Sequence, residues 1–361
     1  MNNKISPRLL QWYSQNKRDL PWRESRDPYK IWLSEIILQQ TRIIQGLAYY
    51  HRFISQYPDI FQLAGAPTDE VYKLWQGLGY YNRASNLIKC AKIVANERQG
   101  RFPEKLSDLK KLPGIGDYTA AAIASMAFKK AHPVVDGNVF RLLSRVFGIN
   151  TPINTSQGKK EFTEIAQKLL ENHPPDLFNQ AMMEFGALAC TPKNPLCESC
   201  PLQPYCYAYK YQKQDQFPVK RPKAKVKKRY IYYFVFQTQD QGNPAFYLKK
   251  RTQKDIWRNL YDFPSVEAQK PFTYPLDVLE RFPEQAWISE YSASIGHVSR
   301  TYVHQLTHIK ITACFIPVIL KDKLPPDSKN SLLLIHQNNL HQYPVSRLVA
   351  KYLTDQEITH L

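Results

Sequence analysis

Two acidic residues carry the chemistry that this sequence suggests first. Glu35 lies in Trp32-Leu33-Ser34-Glu35-Ile36-Ile37-Leu38-Gln39-Gln40-Thr41, an acid among apolar neighbours near a helix start. Most glutamates on amphipathic helices face water, and an ordinary carboxyl of pKa about 4.3 is only roughly 0.2% protonated at pH 7. Desolvation that raises the value by about two units makes such a group a usable general acid. Asp136 lies in Val134-Val135-Asp136-Gly137-Asn138-Val139, between a short apolar run and a helix. It reads either as a plain helix N-cap or as a carboxylate kept ionised by local N–H groups, beside which positive charge can develop. One acid held neutral and one held charged is the pairing that cleaves a glycosidic bond through an oxocarbenium-like state.

Two further constellations point to partners. Cys190, Cys197, Cys200 and Cys206 crowd into one short stretch, while Cys90 and Cys314 stand apart. In a reducing compartment such a cluster means metal rather than disulfides. Structural zinc usually takes two close pairs of cysteines; here one pair is flanked by single cysteines, a spacing better suited to a cubane [4Fe–4S] cluster. Lys193, Lys210 and Lys213 suggest that the loop also faces phosphates. The second constellation is Leu112-Pro113-Gly114-Ile115-Gly116-Asp117-Tyr118-Thr119-Ala120, a hairpin that opens a helix. Gly114 and Gly116 permit positive φ and close approach, and the helix adds its positive end, so the turn is suited to grip a nucleic-acid backbone without reading sequence. A plain corner between two helices is the alternative.

The elements that must position these groups fall into two parts. From residue 1 to about 206, apolar residues recur at helical spacing: Ser34–Tyr57, Asp69–Trp75, Tyr81–Asn96, Tyr118–Lys129, Asn138–Phe147, Gln157–Asn172 and Pro175–Ala189. Short helices and short turns predict an all-α domain. Lys220–Arg229 holds seven basic residues and no acid, which reads as an exposed linker. Short β-rich runs follow at Tyr230–Phe236, Ala245–Leu248 and Ile309–Leu320, with helical signals at Tyr274–Phe282 and Ser346–Thr354, predicting a smaller α+β domain. The boundaries drawn are 1–215, a linker 216–229, and 230–361.

The 361 residues carry 49 Lys and Arg against 31 Asp and Glu, a net charge of +18. That excess predicts a polyanionic partner, nucleic acid foremost. A hydrophobic content of 43% excludes a disordered or fibrous chain. No apolar run approaches the ~18 residues that a transmembrane helix needs, and the N-terminus lacks a signal-peptide core, so a cytoplasmic location without membrane attachment is expected.

Taken in order, the acid-bearing helix, Gly77-Leu78-Gly79-Tyr80-Tyr81, the Leu-Pro-Gly-Ile-Gly hairpin, Val-Asp-Gly-Asn and the four-cysteine loop resemble the helix–hairpin–helix DNA glycosylase superfamily. Leu20-Pro21-Trp22-Arg23, the Trp-Leu-Ser-Glu run and the C-terminal appendage are more closely similar to the adenine DNA glycosylase (MutY) family. The resemblance implies a monofunctional base excision repair enzyme that flips and removes adenine mispaired with 8-oxoguanine or guanine in double-stranded DNA. By position, Glu35 matches the acid that protonates adenine N7. Asp136 matches the carboxylate that stabilises the oxocarbenium ion, with a covalent adduct as one route. Asn138 and Tyr118 match groups that hold it. Trp22, Arg23, Leu38 and Gln180 fall where the family lines the adenine pocket. Gln40, Leu78 and Tyr80 fall where side chains fill and wedge the gap beside the lesion. Bifunctional relatives such as endonuclease III carry a lysine where Tyr118 stands; a phenol forms no Schiff base.

The C-terminal part resembles the Nudix fold but lacks its catalytic box, which implies recognition rather than hydrolysis. The stretch aligned with the family's 8-oxoguanine-reading loop is Gln305-Leu306-Thr307-His308-Ile309, where Thr307 keeps a hydroxyl and His308 an imidazole. A chain that wraps one lesion is expected to be a monomer. The competing expectations are a glycosylase for oxidised pyrimidines, a DNA-scanning iron–sulfur protein whose two acids face solvent, and a nucleotide pyrophosphohydrolase.

Overall fold

The apolar periodicity from Ser34 to Tyr57 is carried by two helices, α2 (Pro28–Leu38) and α3 (Ile43–Gln56), with α1 (Asn2–Asn16) before them. In this computed structural model, residues 2–222, 226–281, 293–306, 308–324 and 332–359 are described. Asp27 caps α2 by accepting the Tyr29 N–H, and Pro28 takes the first position, where no N–H is needed. The helix stops at Gln39, and Gln40 adopts a left-handed φ of 57°. Apolar spacing runs across this break without registering it, so Glu35 sits in the last turn of α2 rather than near a helix start.

The described residues fall into two compact units, 1–65 with 86–223 and 66–85 with 224–361. In the first, α4 (Ile60–Gly65) and most of α6 (Asn82–Glu97) precede α7 (Leu106–Leu109) and α8 (Asp117–Met126), the two helices of the hairpin. Then come α9 (Gly137–Phe147), α10 (Ser156–Leu170), α11 (Pro175–Leu188) and α12 (Tyr207–Lys210). Leu9, Leu143, Phe162, Leu170 and Phe178 form one shared core for α1, α9, α10 and α11. At the crossing of α9 and α11 stands Gly186. A Cβ there would lie 2.7 Å from the Asn138 Cβ, so only glycine lets the head of α9 come this close.

Of the two hairpin glycines, only Gly114 uses positive φ, at 78°. A Cβ there would also meet the Asn86 Cβ at 2.8 Å. Gly116 is extended, with open space where a side chain would stand, and it caps α8. Of the positive φ that both glycines permit, the hairpin uses one.

The second unit holds an eight-stranded mixed sheet ordered β3-β2-β1-β7-β5, with β4 paired to β1, β6 to β7 and β8 to β2. The strands are β1 (Lys227–Asp240), β2 (Asn243–Lys250), β3 (Tyr261–Asp262), β4 (Ser265–Ala268), β5 (Ser294–Ile295), β6 (Tyr302–Gln305), β7 (Ile309–Ile319) and β8 (Leu332–His336). β1 and β7 run parallel from Lys227↔Ile309 to Gln237↔Ile319. Phe234, Phe236, Ile316 and Val318 fill one face, while Tyr233, Phe315 and Tyr352 stack on the other. With both faces covered, the middle of β1 is a continuous apolar run. The basic run reaches into β1 through Lys227–Arg229, so its end is strand rather than linker. The helical signal at Tyr274–Phe282 is a 3-10 segment, Pro275–Arg281. The C-terminal helix Arg347–Asp355 begins at Ser346, whose hydroxyl accepts the Val349 N–H. Residues 66–85, with α5 (Thr68–Trp75), belong to this second unit.

Candidate active site and cluster loop

Glu35 from α2, Tyr118 from α8 and Asp136 at the head of α9 line a single cavity of about 180 Å³. Glu35 is 7% exposed. Burial, with the Asp136 charge adding to it, pushes its pKa up to about 7 against the pull of the Tyr118 hydroxyl and the Arg23 guanidinium. The Tyr118 hydroxyl also lies 3.6 Å from the Met183 sulfur. Burial holds Tyr118 well above the ordinary phenol range, so it stays neutral.

Asp136 is both an N-cap and a member of this cavity. Its Oδ1 accepts the backbone N–H groups of Asn138 at 2.9 Å and Val139 at 2.7 Å, and its Oδ2 accepts the Asn138 amide at 2.8 Å. Burial nonetheless raises its pKa, with those three bonds and Arg141 pulling it back. Desolvation thus outweighs the local N–H groups in direction, and the same groups oppose it by favouring the ionised form.

The residues named for a base pocket come together here. Trp22, Arg23, Leu38, Asn138 and Gln180 all line the same cavity, which is smaller than the ~300–1,000 Å³ typical of drug-sized ligands. Trp22 packs edge-on against Tyr50, with ring centroids 5.1 Å apart. The Tyr13 hydroxyl donates to Gln180 Oε1 at 2.6 Å, fixing that amide.

Sequence reasoning missed the group behind Arg23. Glu184, 1% exposed, accepts from Arg23 at 3.0 and 2.7 Å and from the Arg18 side chain at 2.8 and 2.6 Å, as well as from the Arg18 backbone N–H. Although burial pushes upward, these partners hold the Glu184 carboxyl down at about 2. A signal existed: at helical spacing Glu184 falls on the face of Leu177, Ala181 and Leu188, and a charge in such a stripe needs a partner.

From this cavity a wider cleft of about 1,160 Å³ runs past Gln40, Gly116, Asp117 and Gly137 to Lys159 and Lys160 of α10. Gln40 is exposed at its rim, and the neighbouring Gln39 amide donates to Thr119 Oγ1 at 3.1 Å. Gly114 does not line the cleft; it backs onto Asn86. Leu78 and Tyr80 belong to the second unit, in a turn where Gly77, Gly79 and Tyr80 all take positive φ. Leu78 is buried and Tyr80 is 43% exposed. His308 is exposed, and its carbonyl accepts the Lys227 N–H at 2.9 Å. Thr307 lies outside the described residues.

Cys190, Cys197, Cys200 and Cys206 surround one apolar cavity together with Leu142, Val146 and Leu202. Among the described residues, no three His, Cys, Asp or Glu side chains converge as a single-ion site. Thiols set around a space, rather than on a point, fit a cuboidal cluster better than one zinc. Buried Arg145 places Nη1 3.4 Å from the Cys190 sulfur and donates to the Thr191 carbonyl at 2.7 Å. Arg141, one turn earlier on α9, donates to the Cys190 carbonyl at 2.7 Å and to Asn138 Oδ1 at 2.8 Å. One helix therefore touches both the cluster loop and the Asp136 site.

Residues 33–171 match the HhH-GPD superfamily of base excision DNA repair proteins, 190–206 the iron-sulfur binding domain of endonuclease III, and 232–355 the NUDIX domain. Fold and site thus define a DNA glycosylase of base excision repair, with a [4Fe–4S] cluster and a C-terminal Nudix-like domain, whose substrate is DNA. The adenine DNA glycosylase of Buchnera aphidicola subsp. Schizaphis graminum is 34% identical over 97% of each chain. The human enzyme of that name is 44% identical over 55% of this chain and 38% of its own length. A thermostable thymine-DNA glycosylase structure, 32% identical, superposes with a TM-score of 0.54 over 58% of this chain and 97% of that one. The chain belongs to the adenine DNA glycosylase family. No helix among the described residues is long and apolar enough to cross a membrane.

Proposed function

We propose that this protein removes adenine mispaired with 8-oxoguanine, and with guanine, acting as a monomeric, monofunctional glycosylase in the compartment that holds the genomic DNA. The observation that carries this reading is the meeting of Glu35 and Asp136 in one cavity sized for a base. Glu35, with a pKa near 7, is substantially protonated at neutral pH and donates to adenine N7 as the C1′–N9 bond breaks. Asp136 faces the sugar. The cation that develops there adds the attraction that the free enzyme lacks and favours the ionised carboxylate. Asn138 holds Asp136 by two donors, whereas Tyr118, matched by position to a group that holds Asp136, hydrogen-bonds Glu35. Water then adds at C1′, leaving an abasic site.

Trp22, Arg23, Leu38 and Gln180 form the walls that receive the flipped adenine. Gln40 fills the vacated place and Tyr80 wedges beside the partner base, with Leu78 behind it. The Gly114–Gly116 turn grips the backbone, and Thr307 with His308 reads 8-oxoguanine. In this division of labour residues 1–215 cleave, apart from the 66–85 stretch that carries the wedge, 216–226 link, and 227–361 recognise. Tyr118 has no amine for a Schiff base, so borohydride trapping through that position is not expected. The test is single-turnover adenine release from an A:8-oxoguanine duplex by the wild type and Glu35→Gln. A loss of about 10²–10⁴-fold is expected for the variant; a wild-type rate would sink the assignment.

A further inference from the structure

The Leu78–Tyr80 turn is held from two sides within the second unit. On the near side, the Trp75 indole donates to the Gly79 carbonyl at 3.0 Å, and Arg83 donates to the Leu78 and Gly79 carbonyls at 3.2 and 3.3 Å. The Arg83 guanidinium also lies over both the Trp75 and Tyr80 rings, 5.0 and 5.7 Å from their centroids. The left-handed conformations of Gly79 and Tyr80 are held within this frame, so the turn moves only as far as α5 moves.

What fixes α5 is the Nudix-like sheet. At the first turn of α5, Asp69 takes Lys250 of β2 at 2.5 Å on one carboxylate oxygen and the Tyr261 hydroxyl of β3 at 2.8 Å on the other. One turn on, the Tyr72 hydroxyl accepts the Asn259 amide at 2.9 Å. At the far end, Gln76 Oε1 accepts the Val345 N–H at 3.3 Å. Along the chain, residues 66–85 fall inside the stretch matched by the glycosylase family, yet they pack with the C-terminal unit.

We infer that Asp69 is a positioning residue, through which the Nudix-like sheet sets where Tyr80 stands before DNA arrives. This rests on the reading of Tyr80 as the wedge beside the lesion base. The physical reason is preorganisation. A side chain that must slide between stacked bases binds better when its backbone is already ordered, because less freedom is lost on insertion. Asp69 grips strands β2 and β3 with both oxygens, so it restrains α5 in rotation as well as in distance. The lesion-reading part of the chain and the wedge thereby become one body. Both charged partners are about one-third exposed, 34% and 37% for Lys250 and Asp69. A pair that accessible contributes little to global stability, so its removal leaves the fold intact.

The experiment uses the full chain and two duplexes carrying 8-oxoguanine, one opposite a non-cleavable adenine analogue for affinity and one opposite adenine for release. Asp69→Asn, Tyr261→Phe, Tyr80→Ala and the double variant Asp69→Asn/Tyr80→Ala are compared, with thermal melts confirming folding. Asp69→Asn and Tyr261→Phe are expected to weaken lesion-duplex affinity about three- to tenfold, while adenine release at saturating protein stays within about twofold of wild type. Tyr80→Ala weakens affinity more, and adding Asp69→Asn to it costs nothing further. Affinities that multiply in the double variant, or an Asp69→Asn chain that binds as wild type does, overturn the anchor alone. A Tyr80→Ala chain that binds normally overturns the wedge reading, and the anchor with it. Wild-type protein that releases no adenine overturns the proposed activity itself.

Discussion

Glu184 holds Arg23 by a fork of two hydrogen bonds, 3.0 and 2.7 Å, in the wall of the cavity that Glu35 and Asp136 share. Arg23 is thereby a fixed wall rather than a mobile surface arginine. Replacing Glu184 with Gln leaves two guanidinium groups competing for one carbonyl in a largely buried place. We expect a loss of about 3 kcal/mol in a urea titration and slowed adenine release with little change in nonspecific duplex binding. The carboxyl is depressed from 4.5 to about 2 on folding. Its contribution is therefore fully present above pH 4.5 and lost as the pH falls toward 2. The wild type minus Glu184→Gln stability difference should shrink across that window.

Glu35 titrates in the opposite sense. Its pKa is raised to about 7, so the protonated donor is abundant below that value and falls about tenfold per pH unit well above it. Single-turnover rates should be flat on the acidic side of 7 and decline on the alkaline side. Ionising this buried acid also costs stability as the pH rises from the ordinary glutamate range through 7. Glu35→Gln should accordingly melt higher than wild type at pH 8, with the difference vanishing near pH 4, while remaining inactive.

Arg141 touches the cluster loop and the Asp136 holder together, through the Cys190 carbonyl and Asn138 Oδ1. Arg141→Met should slow adenine release at saturation by about tenfold or more, because Asn138 loses the donor that orients its amide. Iron content should persist, since the sulfur-facing arginine is Arg145. Equal loss of iron and activity would assign Arg141 to holding the loop instead.

The four cysteines frame a cavity that no side chain fills. Cys200→Ser, or removal of iron by a chelator after oxidation, should destabilise the loop after α11 and lower the melting temperature. Visible absorbance and duplex affinity should fall together, whereas the Glu35 environment, on α2, should change less.

Gly114 combines positive φ with a 2.8 Å conflict for any Cβ against Asn86. Gly114→Ala should cost about 1–3 kcal/mol and weaken duplex binding without altering base preference. A Gly116→Ala chain should keep its stability, because open space surrounds that position.

Several of these features were legible in the chain as letters. The cysteine loop and the hairpin are local, built from residues within a few positions of one another, so spacing alone reports them. The turn before α9 likewise shows its cap, since Asp136 and Asn138 are neighbours. The break at Gln39–Arg42 was not legible. Apolar periodicity records which side faces the core and is silent about a short interruption that keeps the phase, so spacing alone does not show that Glu35 ends a helix. The short strands β3, β5 and β6 also escaped, being too brief for an alternating pattern to stand out.

The sequence by itself determined the residue types: two acids in unusual company, four thiols on one loop, a glycine hairpin opening a helix and a strongly basic charge. Only the tertiary structure decided that Glu35 and Asp136 face one cavity, that Glu184 stands behind Arg23, and that residues 66–85 side with the sheet. Those outcomes depend on contacts between segments 100 or more positions apart, such as Glu184 with Arg23 at a separation of 161. Spacing along a chain constrains neighbours within a turn or a strand. Which distant surfaces meet is settled by the packing of whole faces, and the degree to which a carboxyl is dried follows from that packing alone.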